Sequence, residues 1–136
     1  EILGVDSVAL HDWDKYYYEN KLLLKKYNVD SRKVREYFEI NQVIEGLFHV
    51  SELLFGLRYV KMDDPSVWHE DVTMYEVYDN EEDVLLGRFY LDLYPRSNKY
   101  QHAAEYTISN GKKVGNSYQL PMAALVCNFP NLVIFG

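Results

Sequence analysis

The chain has 136 residues, a formal net charge of −7 at pH 7 and a single cysteine. This length suits one domain, and an aromatic content of 15% excludes a disordered or collagen-like chain. The acidic balance disfavours nucleic acid or an anionic membrane as a partner, because either needs a basic surface to displace counterions.

Two helices are predicted near the start of the chain. Helix-forming residues run from Asp12 to Tyr27, with Asp12 as the expected N-cap and Asn28 as the stop. Asp30 and Ser31 then supply a second cap, which predicts a short helix after it.

The third predicted helix is the clearest element. Apolar side chains recur at helical spacing from Ile44 to Phe55 and form one stripe, which we interpret as core packing. Asn41 is the expected N-cap. Gly56 stands where a glycine closes a helix in the left-handed conformation.

Beyond residue 57 the hydrophobic period changes to 2, which predicts strands. Asn110 and Gly111 predict a two-residue hairpin after the fourth strand, and the apolar run of the fifth predicts burial on both faces. We therefore predict an α+β fold, with N-terminal helices (1–57) followed by a mostly antiparallel five-stranded sheet (58–136), in one partial domain (1–136). The expected strands span residues 57–62, 72–78, 84–94, 102–109 and 119–129.

No complete catalytic set is visible among the residues. His69 and Glu70 begin the zinc-peptidase pattern His-Glu-x-x-His, but Thr73 stands where the second histidine is required. A strand there would also separate positions 69 and 73 by about 13 Å. Cys127 lies in the most apolar strand, where a thiol is unreactive. We predict no catalytic residue and no metal ligand in this chain.

His102, Ala103 and Ala104 form the candidate binding segment. They begin the fourth predicted strand, after a polar stretch at 97–101 that we expect to be flexible. Small side chains on a strand let a second backbone approach closely, as a peptide that adds itself to a sheet edge requires. Ordinary packing of the two alanines is the alternative interpretation.

Four segments occur in the order known from one peptidase family. The segments are Asp12-Trp13-Asp14 with Tyr17 and Tyr18, VWHEDV at 67–72, LGRFYLDLYPR at 86–96 and QLPMAALVCNF at 119–129. Together they resemble the thimet oligopeptidase, oligopeptidase A and mitochondrial intermediate peptidase family of zinc oligopeptidases, over residues 12–130.

The resemblance implies a segment of the catalytic domain of a zinc-dependent endopeptidase that hydrolyses short peptides by metal-assisted attack of water. In that family a His-Glu-x-x-His helix follows the segment similar to 119–129, so the remainder of the catalytic domain would hold the zinc. The isolated chain is then expected to bind no zinc and to be inactive. By the same resemblance, His102, Ala103 and Ala104 would form the substrate-binding edge of the sheet.

Several expectations remain open at this stage. Residues 131–136 end in an apolar run at 132–135 and differ from the family's polar connection to the zinc helix. Arg88, Asp92 and Arg96 are interpreted as structural anchors. A stand-alone, non-enzymatic peptide-binding α+β module is the competing hypothesis, and exposed sheet edges make self-association plausible.

The expected location is cytoplasmic, with the mitochondrial matrix or another organelle as the alternative. A lone Cys127 forms no intrachain disulfide, which favours a reducing compartment. The first residues show no signal-peptide pattern, and the longest apolar run is far shorter than the ~20 residues that span a bilayer.

Overall fold

The structure, a computed structural model, describes residues 11–130. The expectations for the first residues and for segment 131–136 therefore lie outside the described residues. The chain divides into two compact units, one ending at Val43 and the other beginning at Ile44. Its elements are a 3-10 turn (Asp12–Asp14), α1 (Lys15–Tyr27), α2 (Ser31–Arg35), α3 (Ile40–Phe55), β1 (Leu57–Lys61), β2 (Thr73–Asp79), β3 (Leu85–Asp92), β4 (Ala104–Ser109), β5 (Lys112–Val114), β6 (Ser117–Gln119) and β7 (Met122–Val126).

The first α-helix begins later than the sequence indicates. Asp12 lies within the 3-10 turn, and Asp14 is the residue that precedes α1. The Asp14 carboxylate accepts a hydrogen bond from the backbone N–H of His11 at 3.1 Å. Asn28 ends the helix as predicted, since its φ of 54° is left-handed and terminates the regular hydrogen bonding.

Helix α3 confirms the predicted end but corrects the N-cap and the burial of the apolar stripe. Ile44 and Phe48 are half-buried, but Leu47, Leu54 and Phe55 are 61%, 68% and 71% exposed, so the interpretation of the whole stripe as core packing is wrong. The Glu39 carboxylate accepts the backbone N–H of Gln42 at 3.0 Å, so Glu39 caps the helix and Asn41 lies inside its first turn. Gly56 adopts a φ of 64°, which confirms it as the C′ glycine. Within residues 11–130, no helix combines the length and the apolar composition needed to cross a bilayer.

Five strands form one mixed sheet in the order β1-β2-β3-β7-β4. The pairs β1–β2, β2–β3 and β7–β4 are antiparallel, and β3–β7 is parallel. The predicted α+β class with a mostly antiparallel five-stranded sheet is therefore confirmed.

The predicted hairpin at Asn110 and Gly111 is wrong. Strand β5 follows these two residues but pairs with β6, while β4 pairs with β7. The chain turns back at the left-handed Gly115, whose φ is 60°, so the two short strands form a separate hairpin. After this separate hairpin the chain enters the sheet as β7, between β3 and β4. The fifth expected strand is therefore shorter than predicted and spans Met122–Val126.

Each face of the sheet has its own packing. One face carries a buried cluster of Val72, Met74, Tyr90 and Ala124. Neighbouring Tyr90 and Leu91 near the end of β3 are 8% and 6% exposed, so that end of the strand is buried on both faces. The same prediction for β7 is wrong, since Leu125 remains 37% exposed.

Helix α3 packs on the opposite face through one aromatic side chain. The Phe48 ring stacks on Tyr59 at a centroid distance of 4.3 Å and meets Tyr75 edge-on at 5.1 Å. Tyr75 stacks in turn on Phe89 at 5.4 Å. We call Phe48, Tyr59, Tyr75 and Phe89 the aromatic cluster.

Candidate functional site

Strand β4 forms one edge of the five-stranded sheet. Among the strands of residues 11–130, it pairs with β7 alone, with Ala104 opposite Val126 and Tyr106 opposite Ala124. An edge strand presents a row of backbone N–H and C=O groups on its outer side. This edge can therefore accept an additional extended segment.

The three candidate binding residues lie at the start of this edge. Ala104 is the first residue of β4, whereas His102 and Ala103 precede it, so the predicted strand begins two residues too early. His102 and Ala103 are exposed, and Ala104 is half-buried. The Tyr100 ring lies 5.8 Å from the His102 ring and 6.3 Å from the Tyr106 ring, so three aromatic side chains lie near one another at the start of β4.

A buried ionic cluster lies at the end of β3. Asp92 is only 2% exposed. Its carboxylate accepts hydrogen bonds from the indole Nε1 of Trp68 at 2.9 Å and from both terminal nitrogens of Arg96 at 2.6 and 2.8 Å. The Lys99 Nζ lies 2.8 Å from Asp92 Oδ1. We call Trp68, Asp92, Arg96 and Lys99 the polar clamp.

The clamp keeps the Asp92 carboxylate ionised. Burial alone raises the pKa of a carboxyl group, but hydrogen bonds from Arg96, Lys99 and Trp68 outweigh that effect and hold the pKa of Asp92 well below its usual range. A buried charge is tolerated when it is paired and fully hydrogen-bonded, and this carboxylate meets both conditions.

Lys99 also binds the backbone. Its Nζ donates to the carbonyl oxygens of Asp92 at 2.9 Å, Tyr94 at 2.6 Å and Cys127 at 2.6 Å. The side chain is only 3% exposed. The expectation that residues 97–101 are flexible is therefore wrong at Lys99. Its side chain is fixed by hydrogen bonds to Asp92 at the end of β3 and to Cys127 just after β7.

The segment after β7 is held by the same region. The backbone N–H of Cys127 donates to Asp92 O at 2.8 Å, and that of Phe129 donates to Leu93 O at 2.8 Å. The Asn128 side-chain amide donates to Tyr100 O at 2.9 Å. These contacts fix the direction in which the chain leaves the sheet.

The structural interpretation of the charged strand residues agrees with these contacts. Arg96 binds Asp92, and Arg88 binds Glu76 across the β2–β3 pair at 2.7 Å. Sequence reasoning did not single out Trp68 or Lys99. The available signal was Asp92 itself, because an acidic residue within a buried strand requires a cationic partner.

Cys127 lies beside the clamp and is 7% exposed. Burial raises the pKa of its thiol, and the nearby Lys99 lowers it by less. The thiol is therefore protonated at neutral pH and a poor nucleophile.

The described residues do not fit a catalytic zinc ion. His69 begins a turn closed by the Val72 N–H on His69 O at 3.1 Å, which replaces the strand assumed from the sequence. Its Nδ1 accepts the backbone N–H of Asp71 at 3.2 Å. Within residues 11–130, no three histidine, cysteine, aspartate or glutamate side chains converge as metal ligands.

Comparison with known sequences gives a consistent result. The sequence model of the family described as Peptidase family M3 matches residues 1–133. Saccharolysin of Saccharomyces cerevisiae is 40% identical over 124 residues, which cover 86% of this chain and 17% of that protein. Oligopeptidase A of Escherichia coli is 39% identical over 93% of this chain and 18% of its own length. The Arabidopsis thaliana protein named mitochondrial intermediate peptidase is 38% identical, over 95% and 19%. The chain thus spans less than a fifth of the length of these relatives.

Proposed function

The chain belongs to Peptidase family M3, and from this membership we propose that it is a segment of the catalytic domain of a zinc-dependent oligopeptidase, an endopeptidase of short peptides. Its contribution is the sheet and the edge strand that binds the substrate. The single observation that carries this role is the position of β4, whose outer side pairs with no strand among residues 11–130.

The composition of β4 suits peptide addition. Natural edge strands are commonly protected from further pairing by lysine, proline or a bulge that twists the strand away. β4 reads AEYTIS and contains neither lysine nor proline, and its irregularity falls between Thr107 and Ser109, beyond the candidate segment. The half at Ala104 is therefore the part that can accept a regular backbone ladder.

The proposed substrate contacts are made by main-chain groups. An extended peptide that adds to a sheet edge gains affinity from backbone hydrogen bonds, which are independent of the peptide's side chains. His102, Ala103 and Ala104 would supply these groups. The two alanines leave room for the incoming backbone, so this segment binds and orients short peptides of varied sequence.

The zinc ligands are proposed to lie in the remainder of the catalytic domain, because the described residues do not form a metal site. When bound there, zinc would supply an activated water for hydrolysis. Sequencing the gene beyond codon 136 tests this directly. A His-Glu-x-x-His motif within a few tens of codons supports the peptidase proposal. A stop codon, with no partner subunit that carries such a motif, supports the stand-alone peptide-binding module instead.

Substitution at the edge tests the binding role in the complete gene product. We expect Ala104→Val to lower kcat/KM for a short peptide by about tenfold, because two added methyl groups hold the substrate backbone away from the edge. Zinc content should not change. Ala123→Val is the matched control, since it adds the same atoms to the inner strand β7. Unchanged turnover in Ala104→Val would overturn the assignment of the edge.

The isolated chain provides a complementary test. We expect it neither to hydrolyse short peptides nor to retain zinc in equilibrium dialysis, because it would lack the ligands that the rest of the domain supplies. Stoichiometric, high-affinity zinc in the isolated chain would contradict the proposal.

The proposed location is cytoplasmic, with the mitochondrial matrix as the alternative, since the relatives include a protein named as mitochondrial. The proposed partners are short peptides and the remainder of the catalytic domain, with no role for nucleic acid or membrane. Subcellular fractionation with an antibody against the chain distinguishes the two compartments.

A further inference from the structure

Three residues stand side by side at one end of the sheet. Asp92 on β3 is in register with Val126 on β7, and Val126 is in register with Ala104 on β4. The buried carboxylate of the polar clamp and the first residue of the proposed peptide-binding edge thus share one row, with a single strand between them.

The chain must cross the end of β7 to travel from Asp92 to Ala104. Residues 93–103 make this crossing without a helix or strand. Such a segment has a large conformational entropy to lose, so its position depends on the contacts that hold it. Lys99 lies near its middle and supplies the principal buried contact.

The contacts of Lys99 join the three parts that meet here. An ammonium group has three N–H donors, and four oxygen atoms surround this one at 2.6 to 2.9 Å. Two belong to Asp92 at the end of β3, one to Tyr94 in the crossing and one to Cys127 after β7. The three carbonyl contacts are charge-assisted hydrogen bonds and the contact with the Asp92 carboxylate is an ion pair, all in a nearly dry site.

We propose that Lys99 is a positioning residue that, anchored on Asp92, fixes the crossing segment against the end of β7 and thereby sets the position of the peptide-binding edge. This inference rests on the proposed function, because it takes the edge at Ala104 as the place where the substrate backbone pairs. Lys99 touches no substrate and acts through residues 100–104.

Arg96 provides a matched control. It also hydrogen-bonds the Asp92 carboxylate, at 2.6 and 2.8 Å, but unlike Lys99 its side chain makes no hydrogen bond to Cys127 or Tyr94. Lys99→Met and Arg96→Met therefore each remove one cation from the same carboxylate. Lys99→Met alone also removes the hydrogen bond that joins the middle of the crossing segment to Cys127 after β7.

The experiment measures steady-state kinetics of the complete gene product with a short peptide. It also measures amide hydrogen exchange over residues 100–109. In Lys99→Met we expect KM to rise about tenfold and exchange to accelerate across this segment. In Arg96→Met we expect KM to stay within about threefold, although both variants lower the melting temperature. Equal changes in KM, or unchanged exchange in Lys99→Met, would overturn the positioning role.

A milder variant keeps the test decisive if Lys99→Met does not fold. Asn128→Ala removes a second side-chain hydrogen bond to the crossing segment, the bond to Tyr100 O at 2.9 Å, which is exposed to solvent. We expect KM to rise about threefold with the fold retained. An unchanged KM in Asn128→Ala, together with an unfolded Lys99→Met, would overturn the inference.

The edge variant separates the two proposals. Normal turnover in Ala104→Val would overturn both the proposed peptide-binding edge and the positioning role of Lys99. Impaired turnover in Ala104→Val combined with equal effects of Lys99→Met and Arg96→Met removes only the positioning role and leaves the peptide-binding edge in place.

Discussion

Two regions of the sheet are stabilised by different chemistry. On the β1–β3 side, α3 packs through the aromatic cluster, in which ring faces and edges meet at centroid distances of 4.3 to 6.0 Å. At the end shared by β3, β7 and β4, the polar clamp holds a buried carboxylate with an indole, a guanidinium and an ammonium group.

The two regions differ in how tightly their interactions fix the positions of the groups that take part. Aromatic packing depends mainly on buried area, so a ring can shift slightly without losing most of its stabilisation. Hydrogen bonds to a buried charge depend on distance and direction, and an unpaired partner carries a large desolvation penalty. The aromatic cluster therefore holds helix α3 on the sheet, whereas the clamp fixes the position of the edge that we propose to bind peptides.

The largest expected effect comes from removing the centre of the clamp. Asp92→Ala leaves Lys99 and Arg96 without their buried carboxylate, and breaking one side of a buried ion pair costs about 3–5 kcal/mol of unfolding free energy. Urea unfolding of the purified protein measures this loss. Glu105→Ala, which removes an exposed carboxylate from β4, is the control and should change stability by less than about 0.5 kcal/mol. A loss below about 1 kcal/mol in Asp92→Ala would show that the clamp does not stabilise the fold.

Acid should remove part of the same stabilisation. The folded-state pKa of Asp92 lies below that of the unfolded chain, so its contribution is complete above the unfolded pKa of about 3.9 and is lost as the pH falls toward the folded pKa. Urea unfolding between pH 7 and pH 3 should therefore show stability falling more steeply in the wild type than in Asp92→Asn. Parallel curves would contradict this prediction.

The aromatic cluster should respond less strongly and without this pH dependence. Phe48 is half-buried, so Phe48→Ala should cost about 2–3 kcal/mol, below the range for a fully buried phenylalanine. The cost should be the same at pH 7 and pH 4, because the Phe48 side chain has no ionisable group and its contacts in the cluster are between rings. Leu47→Ala on the exposed side of the helix, at a residue 61% exposed, is the control. A larger loss for Phe48→Ala than for Asp92→Ala would reverse the comparison.

The sequence predicts helix α3 and its end well, because helical spacing and the left-handed conformation that glycine favours at Gly56 are local signals. It does not predict which part of the apolar stripe is buried, because that depends on the sheet: Phe48 is half-buried, whereas Leu47 is 61% exposed. Register on β3 is harder to predict. In the sequence, Tyr90 and Asp92 alternate with the apolar Phe89, Leu91 and Leu93, a pattern typical of a solvent-facing set. Both are buried, because Trp68 packs against the Tyr90 ring and, with Arg96 and Lys99, binds the Asp92 carboxylate.

The candidate site shows the same limit. Ala104 was placed on a strand correctly, and β4 does lie at the edge of the sheet. The pairing of β4 with β7 instead of β5 depends on a contact between strands distant in sequence, and no local turn signal encodes it. Lys99 was missed for a similar reason, since its partners come from three separate segments.

The smallest predicted effects are changes in unfolding free energy on replacing one glycine in each region with alanine. A Cβ at Gly87 on β3 would lie 3.0 Å from Pro121 Cγ and 3.1 Å from Pro121 O, closer than normal van der Waals contact. A Cβ at Gly46 in α3 would meet nothing within 4 Å. Gly87→Ala should therefore lower the unfolding free energy by about 1–2 kcal/mol. Gly46→Ala should raise it by about 0.5–1 kcal/mol, because alanine favours the helix.

Opposite signs for the two glycines would locate the structural constraint on the β3–β7 side. The Arg88 N–H donates to Pro121 O at 3.1 Å, so Pro121 approaches β3 at a point where the two backbones are already joined. A new methyl group must displace this contact, and with it the start of β7, whereas the solvent side of α3 has room for one. If both substitutions stabilised the protein in thermal unfolding, β7 could shift without cost, and the clamp alone would have to fix the position of the edge.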